Sequence, residues 1–327
     1  MTTLMFDCFS PLALTGDRVH MKYELKHILI VVSLIILTAC SSFSQPAQEE
    51  VDMGTSPPLV IAHRGASSLA PENTLAAARK ALEIGADLWE LDVSVTADGE
   101  LILMHDDTLG RTCNARDVFP DRQPWQVWDF TLAEVQTLDC GSWFNTKDPF
   151  GEIRLGNVSE ADQQSYVGER APTLRQALEF TRDHDWRVNV ELKKQPTEEL
   201  DRVIVGKAVA LVEELGMDDG QGVVISSFRH DYLKTVKNLN PRIPIQAITS
   251  KAIRDLPAYL DELGAGTCNP KVMAWNFKRL GELAAQGIAL NVWTVDDELT
   301  MKALIDTGVS GIITNYPQTL VGVLKQR

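Results

Sequence analysis

The sequence predicts an α/β fold built as a (β/α)8 barrel, and three observations carry that reading. Short apolar runs alternate with longer helical patterns from Leu59 onward, about seven or eight times in one body. Glycines stand where the helices should end, at Gly85, Gly216, Gly287 and Gly308. No glycine-rich dinucleotide fingerprint follows the first apolar run, and so many units favour a closed barrel over an open sheet. The 327 residues, 44% hydrophobic and 23% charged, suffice for one large domain or two modest ones with a substantial core. Disorder, collagen-like repetition, a disulfide-dense miniprotein and a multi-span membrane protein all fit poorly.

Taken in order, the chain begins with a targeting segment. Met1 to His20 resembles no leader, so translation is expected to start at Met21. Lys22 and Lys26 precede the apolar run Ile28 to Leu37, which is shorter than the ~20 residues that span a bilayer and suits a signal-peptide core. The run ends in Leu37-Thr38-Ala39-Cys40, which resembles a bacterial lipobox with Cys40 as the lipidated mature N-terminus; a plain signal anchor is the competing reading. Residues 1–39 therefore read as a signal peptide and 40–58, rich in Ser, Gln, Glu and Pro, as a lipidated flexible tether. Residues 59–327 read as the barrel domain. Ser41 rather than Asp after Cys40 resembles the sorting signal for the periplasmic side of the outer membrane in a Gram-negative bacterium.

Within the domain, the expected strands are Leu59–His63, Leu88–Val95, Leu101–His105, Val188–Lys193, Val223–Ser227, Ile243–Ile248, Ile288–Thr294 and Gly311–Thr314. Expected helices include Asn73–Ile84, Thr173–Asp183, Glu198–Leu215, Arg229–Asn238, Asn276–Gln286 and Asp297–Asp306. Between His105 and Pro172 the rhythm breaks, with Trp125, Trp128, Trp143 and Phe144 and few helix signals. A stretch that long is usually functional or has structure of its own, so about 111–171 reads as a cap inserted over the barrel mouth. The cysteines of the domain, Cys113, Cys140 and Cys268, match no metal motif and allow one disulfide at most. Packing is the plainest role for them, with a Cys113–Cys140 bridge left open.

The formal charge is -14, from 31 basic and 45 acidic residues, which argues against a nucleic-acid partner. An anionic substrate would need a local positive device such as a metal ion. The strand Trp89-Glu90-Leu91-Asp92-Val93 alternates strictly, which puts Glu90 and Asp92 on one face. If the apolar face meets the helices, both carboxylates enter the barrel interior, where like charges are costly without a cation or proton. Val188-Asn189-Val190-Glu191-Leu192-Lys193 repeats the pattern with Glu191 and Lys193. Three inward carboxylates favour a hard ion, Mg2+ or Ca2+; solvent-facing alternation on an antiparallel sheet is the bland alternative. His63 and His105 fall at the C-terminal ends of expected strands, where barrel active sites form. With three carboxylates nearby they suit general acid-base catalysis, and Arg64 offers a planar fork of donors for phosphate.

These residues resemble those of the glycerophosphodiester phosphodiesterases, from Val60 to Leu320. The motifs are Ile61-Ala62-His63-Arg64-Gly65-Ala66 with Ala70-Pro71-Glu72-Asn73-Thr74, Glu90-Leu91-Asp92-Val93, and His105-Asp106-Asp107-Thr108-Leu109-Gly110-Arg111-Thr112. They continue in Asp139-Cys140-Gly141-Ser142-Trp143-Phe144, Glu191-Leu192-Lys193, Val292-Trp293-Thr294-Val295 and Gly311-Ile312-Ile313-Thr314-Asn315-Tyr316-Pro317. The resemblance implies a TIM barrel in which Glu90, Asp92 and Glu191 bind one divalent cation, Ca2+ or Mg2+. It also implies His63 and His105 as the acid-base pair, with Arg64 and Lys193 on the phosphate. Family members often carry Asp where this chain has Ser310 and Asn315, a departure expected to touch rim contacts more than the chemistry.

The expected activity is hydrolysis of a small-molecule glycerophosphodiester to glycerol 3-phosphate and an alcohol, by attack of water or of the neighbouring glycerol hydroxyl. Lysophospholipids or a cell-wall polymer with glycerol phosphate linkages are alternative substrates. A lipoprotein that binds glycerophosphodiesters without turnover is the reading from another class, and the intact residue set speaks against it. Trp143, Phe144 and Trp293 could wall a choline headgroup by cation-π attraction, although core and cap packing explains them more simply. The membrane is the expected second partner, through the lipid on Cys40. The sequence leaves oligomeric state open.

Overall fold

The computed structural model describes residues 56–327, so the expected signal peptide, Cys40 and all but the end of the expected tether lie outside the described residues. Nine strands form one sheet: β1 Leu59–Ala62, β2 Leu88–Val95, β3 Leu101–Leu103, β4 Val188–Leu192, β5 Val223–Ser227, β6 Ile245–Thr249, β7 Thr267–Pro270, β8 Ala289–Val292 and β9 Gly311–Thr314. Eight of them run parallel, and β1 pairs both with β2 and with β9, which closes the ring. This is a TIM barrel, with helices between successive barrel strands.

Two expectations need correction. Leu101–His105 is not a barrel strand: its core, β3, pairs antiparallel with Val93–Val95, the part of β2 that runs on past β1. The eighth barrel strand is β7, which the sequence pattern did not suggest. It reads Thr-Cys-Asn-Pro, and Asn and Pro are depleted in strands because they satisfy the backbone elsewhere or cannot donate to it. The barrel accepts Pro270 because it is the last residue of the strand, where its carbonyl still takes the Trp293 N–H at 3.1 Å. The helix Leu256–Leu263 before β7 was also missed; Asp255 caps it, with Pro257 in its first turn.

The helices bury their apolar faces on the outside of the barrel. Trp89 shows why β2 alternates: its ring stacks on Trp186 at 6.3 Å, meets Phe180 edge-on at 6.5 Å, and its Nε1 donates to Thr181 Oγ1. With Trp89, Leu91 and Val93 facing the helices, Glu90 and Asp92 must face inward. The helix Leu75–Ile84 is capped by Thr74, whose hydroxyl accepts the Ala77 N–H, and ends at Gly85 in the left-handed region.

Residues 111–171 contain four short α-helices, Ala115–Val118, Leu132–Val135, Ser142–Lys147 and Glu160–Tyr166, and one 3-10 turn, Val127–Asp129. They have apolar clusters of their own, around Phe130 and Leu138 and around Phe144 and Tyr166. A Cys113–Cys140 disulfide ties the segment together, and Cys268 is free and buried in the barrel wall. The second cluster packs on Ala70 of the turn that follows β1 and on Ala76 and Ala77 of the helix Leu75–Ile84 after it.

That turn is held by Gly65 at φ +80°, where a Cβ would lie 2.6 Å from the Ala77 carbonyl carbon. Gly65→Ala is therefore expected to destabilise the fold by about 2–4 kcal/mol, from the left-handed φ and a clash with backbone that cannot yield. Denaturant unfolding reads this directly, and a loss within error of zero would contradict it.

Candidate active site

The ends of β1, β2 and β4, with the turn after β3, carry the chemistry to the C-terminal mouth of the barrel. His63, Arg64, Glu90, Asp92, His105, Glu191, Lys193 and Trp293 all line one pocket there. The same pocket takes Asn189, Phe228 and Asn269, which sequence reasoning did not single out. Asn189 lies on the inward face of β4 with Glu191, so strand alternation alone could have found it.

Glu90, Asp92 and Glu191 are buried, and one carboxylate oxygen of each lies within 4.8 Å of the others. Oxygens that bind one Ca2+ or Mg2+ at ~2.0–2.6 Å are separated by about that much, so the three side chains fit such an ion as they stand. Burial, followed by the charges of Asp92 and Glu191, raises the Glu90 carboxyl well above the ordinary range. Burial and Asp92 raise Glu191 as well. Burial opposes the charge on Asp92 too, but Arg64 and Lys193 outweigh it and hold that carboxyl below its usual range. Arg64 Nε lies 3.1 Å from Asp92 Oδ2; Lys193 Nζ lies 3.2 Å from Glu191 Oε1 and 3.5 Å from Asp92 Oδ1. Asn73 completes Asp92 by donating Nδ2–H to Oδ2 at 2.9 Å and accepting the Asp92 N–H at 3.0 Å.

A raised carboxyl keeps its proton in the folded state after the unfolded chain has lost it. The cation-free protein is thus expected to lose this contribution to stability as pH rises above the ordinary glutamate value of 4.5. A cation that binds the ionised carboxylates reverses the effect, so the Tm increase on adding Ca2+ or Mg2+ should grow as pH rises from 4.5. A pH-independent increase would contradict it. His63 has the opposite sign. Burial, then Arg64, lowers it to about 4, so its contribution is lost as pH falls from 6.5 towards that value.

Each histidine has its Nδ1 paired and its Nε2 available. His63 Nδ1 lies 2.7 Å from Asn315 Oδ1, and its Nε2 is 4.0 Å from Glu90 Oε2. His105 Nδ1 lies 2.7 Å from Asp106 Oδ1. Asn315 thus touches a site histidine directly, a nearer contact than the rim position expected of it, whereas the Ser310 hydroxyl accepts the Leu290 N–H between strands. Asp106 in turn pairs with Arg111, Arg111 with Glu72, and Glu72 with Arg64. One arginine from the start of the inserted segment therefore braces the partners of both His105 and Arg64.

The remaining aromatic expectations divide. Trp293 faces the pocket, donates Nε1–H to Asn269 O at 2.8 Å and meets Phe228 edge-on at 5.5 Å. Trp143 and Phe144 do not line the pocket: Phe144 is fully buried against Tyr166, and Trp143 lies beside it. Their apolar surface serves the core of the inserted segment, and the aromatic wall is Trp293 with Phe228. None of residues 111–171 lines the pocket; the segment flanks its wall.

Comparison with known proteins agrees with this geometry. Residues 63–319 match the Glycerophosphoryl diester phosphodiesterase family. The chain is 35% identical over 272 residues to a glycerophosphodiester phosphodiesterase of Caldanaerobacter subterraneus subsp. tengcongensis, covering 82% of this chain and 98% of that one. It is also 35% identical to the Bacillus subtilis glycerophosphodiester phosphodiesterase, covering 82% of this chain and 86% of the relative. Among solved structures, an Oleispira antarctica phosphodiesterase in complex with the product sn-glycerol-3-phosphate superposes with a TM-score of 0.67 at 26% identity, covering 82% of this chain and 97% of that one.

Proposed function

The chain belongs to the glycerophosphoryl diester phosphodiesterase family, and on that premise we propose that it hydrolyses glycerophosphodiesters to glycerol 3-phosphate and an alcohol, using His63 and His105 as general acid and base beside a divalent cation held by Glu90, Asp92 and Glu191. The chain is a phosphoric diester hydrolase; the assignment of roles is ours. The observation that carries it is the meeting, in one pocket, of three buried carboxylates and two histidines whose Nδ1 atoms are already engaged.

When bound, the cation would neutralise charge on a phosphoryl oxygen. Arg64 and Lys193 would add positive charge where the transition state gains negative charge. His63, held neutral by burial and Arg64 and bonded to an amide, suits the role of base through Nε2. His105, bonded to a carboxylate, is left to protonate the departing alkoxide. The attacking oxygen is water or the adjacent glycerol hydroxyl; the latter gains from proximity and passes through a cyclic phosphate.

A second substrate class, lysophospholipids, is favoured by one observation. Phe228 at the pocket mouth is 45% exposed, and a second groove, lined by Met273, 86% exposed, with Phe277, Trp275 and Tyr316, also takes Thr294 and Val295, the residues that follow the pocket residue Trp293. An apolar chain on the glycerol would find a surface there. The proposal also places the domain outside the cytoplasm, on the periplasmic side of the outer membrane, anchored by a lipid on Cys40; the basic and apolar run before that residue supports this.

Phosphorus NMR of glycerophosphocholine and lysophosphatidylcholine turnover tests the reaction. Glycerol 3-phosphate from the first substrate, or lysophosphatidate from the second, shows cleavage on the alcohol side. Phosphocholine as the product would overturn the assignment.

A further inference from the structure

His63 ends a hydrogen-bonded chain that begins at the surface. Exposed Asp296, in the loop after β8, accepts the Asn315 backbone N–H on Oδ1 at 2.9 Å and the Asn315 Nδ2–H on Oδ2 at 2.7 Å. The Thr314 hydroxyl donates to Asp296 Oδ1 at 3.3 Å. A carboxylate offers only acceptors, so the side of the Asn315 amide that faces Asp296 must be its NH2 group. Asn315 Oδ1 then faces His63 Nδ1 at 2.7 Å and also accepts the Ser67 hydroxyl at 2.8 Å. An amide oxygen has no hydrogen to give, so the proton of a neutral His63 lies on Nδ1. Nε2 is left with its lone pair, on the side of Glu90 in the pocket.

The barrel seam places the parts. β1 and β9 pair in register up to Ala62 and Thr314, and the His63 N–H donates to Thr314 O at 2.9 Å, so the next residues, His63 and Asn315, emerge side by side. Asp296 follows β8, which pairs with β9 on its other side.

We propose that Asn315, oriented by Asp296, is a positioning residue that holds His63 in the Nδ1–H tautomer and thereby makes Nε2 the proton acceptor. The inference rests on the reading of His63 as an acid-base group given above. In the other tautomer Nε2 carries the proton and cannot accept one, so every molecule in that state is inactive towards proton abstraction.

Nitrogen-15 NMR of the histidine-labelled protein tests the tautomer in the unsubstituted chain, with His63 assigned by the signal lost in His63→Gln. A protonated Nδ1 and an unprotonated Nε2 are expected; the reverse pattern overturns the proposal. Kinetics with glycerophosphocholine then test its consequence. Asn315→Leu should lower kcat on the order of 10²-fold, with KM changed by less than about 3-fold, because proton abstraction rather than binding is impaired. Exchanging the two groups, Asn315→Asp with Asp296→Asn, restores a donor facing an acceptor and an acceptor facing His63. That double variant should recover kcat to within about 10-fold of the starting protein and keep the Nδ1–H pattern. A native kcat in Asn315→Leu, or a double variant as slow as that single one, overturns the proposal. If the unsubstituted protein releases no glycerol 3-phosphate, the hydrolase reading fails, while the tautomer is still decided by the NMR pattern.

Discussion

His63→Ala is expected to lower kcat by about 10²–10⁴-fold while the protein keeps its fold, and His105→Ala to do the same. Both side chains stand at the pocket mouth rather than in the core: His63 and His105 side chains are 17% and 34% exposed. Removing either ring leaves the strands, the disulfide and the apolar clusters untouched, so circular dichroism and Tm should change little. Each loss should fall mainly in kcat, because the phosphate partners Arg64 and Lys193 remain. A loss smaller than about 10-fold in either variant would remove that histidine from the acid-base pair.

Asp92→Ala is expected to be the most damaging single change in the site, costing about 3–5 kcal/mol of stability in addition to activity. Asp92 is 1% exposed and lies against both Arg64 and Lys193, and its Oδ2 accepts the Asn73 Nδ2–H. Without it, two buried cations lose their shared partner and the Asn73 amide loses its acceptor. Glu90→Gln should behave differently. Glu90 is raised by burial and by its carboxylate neighbours, so neutralising it relieves repulsion. That variant should hold or gain stability without cation, yet lose the Tm increase that cation gives. Denaturant unfolding of both, with and without Mg2+, separates the two cases; equal destabilisation would contradict the charge balance described for the site.

The features legible in the sequence were those set by local periodicity. The Glu90–Asp92 and Glu191–Lys193 pairs follow from strand alternation, and His63 follows from its place at the end of β1; His105 reaches the same pocket because antiparallel β3 brings the chain back along the end of β2, not because it ends a barrel strand. Features that depend on distant partners were not legible. Asn315 meets His63 across 252 positions of sequence, and only barrel closure brings them together. Glu72 and Arg111 are ordinary charged residues until the inserted segment folds back and makes them one ion-pair chain with Asp106 and Arg64. β7 stayed hidden because Thr-Cys-Asn-Pro has neither alternation nor β-branched bulk, and it is a strand because β6 and β8 offer edges on both sides. The run Leu101–His105 reads as a barrel strand in sequence because an apolar run carries no mark of parallel or antiparallel pairing. For Phe144 and Trp143 packing is the simpler reading from sequence, and the structure bears it out with the cluster that absorbs them.

Release of glycerol 3-phosphate from glycerophosphocholine by a protein of residues 40–327 tests the account most directly, measured with Ca2+, with Mg2+ and with EDTA beside a His63→Ala control. The account predicts release with at least one of the two ions, none above background in EDTA, and release at least about 10²-fold slower in the His63→Ala protein with either ion. Release that persists at full rate in EDTA or in the His63→Ala protein, or no release with either ion from a folded protein, would contradict it.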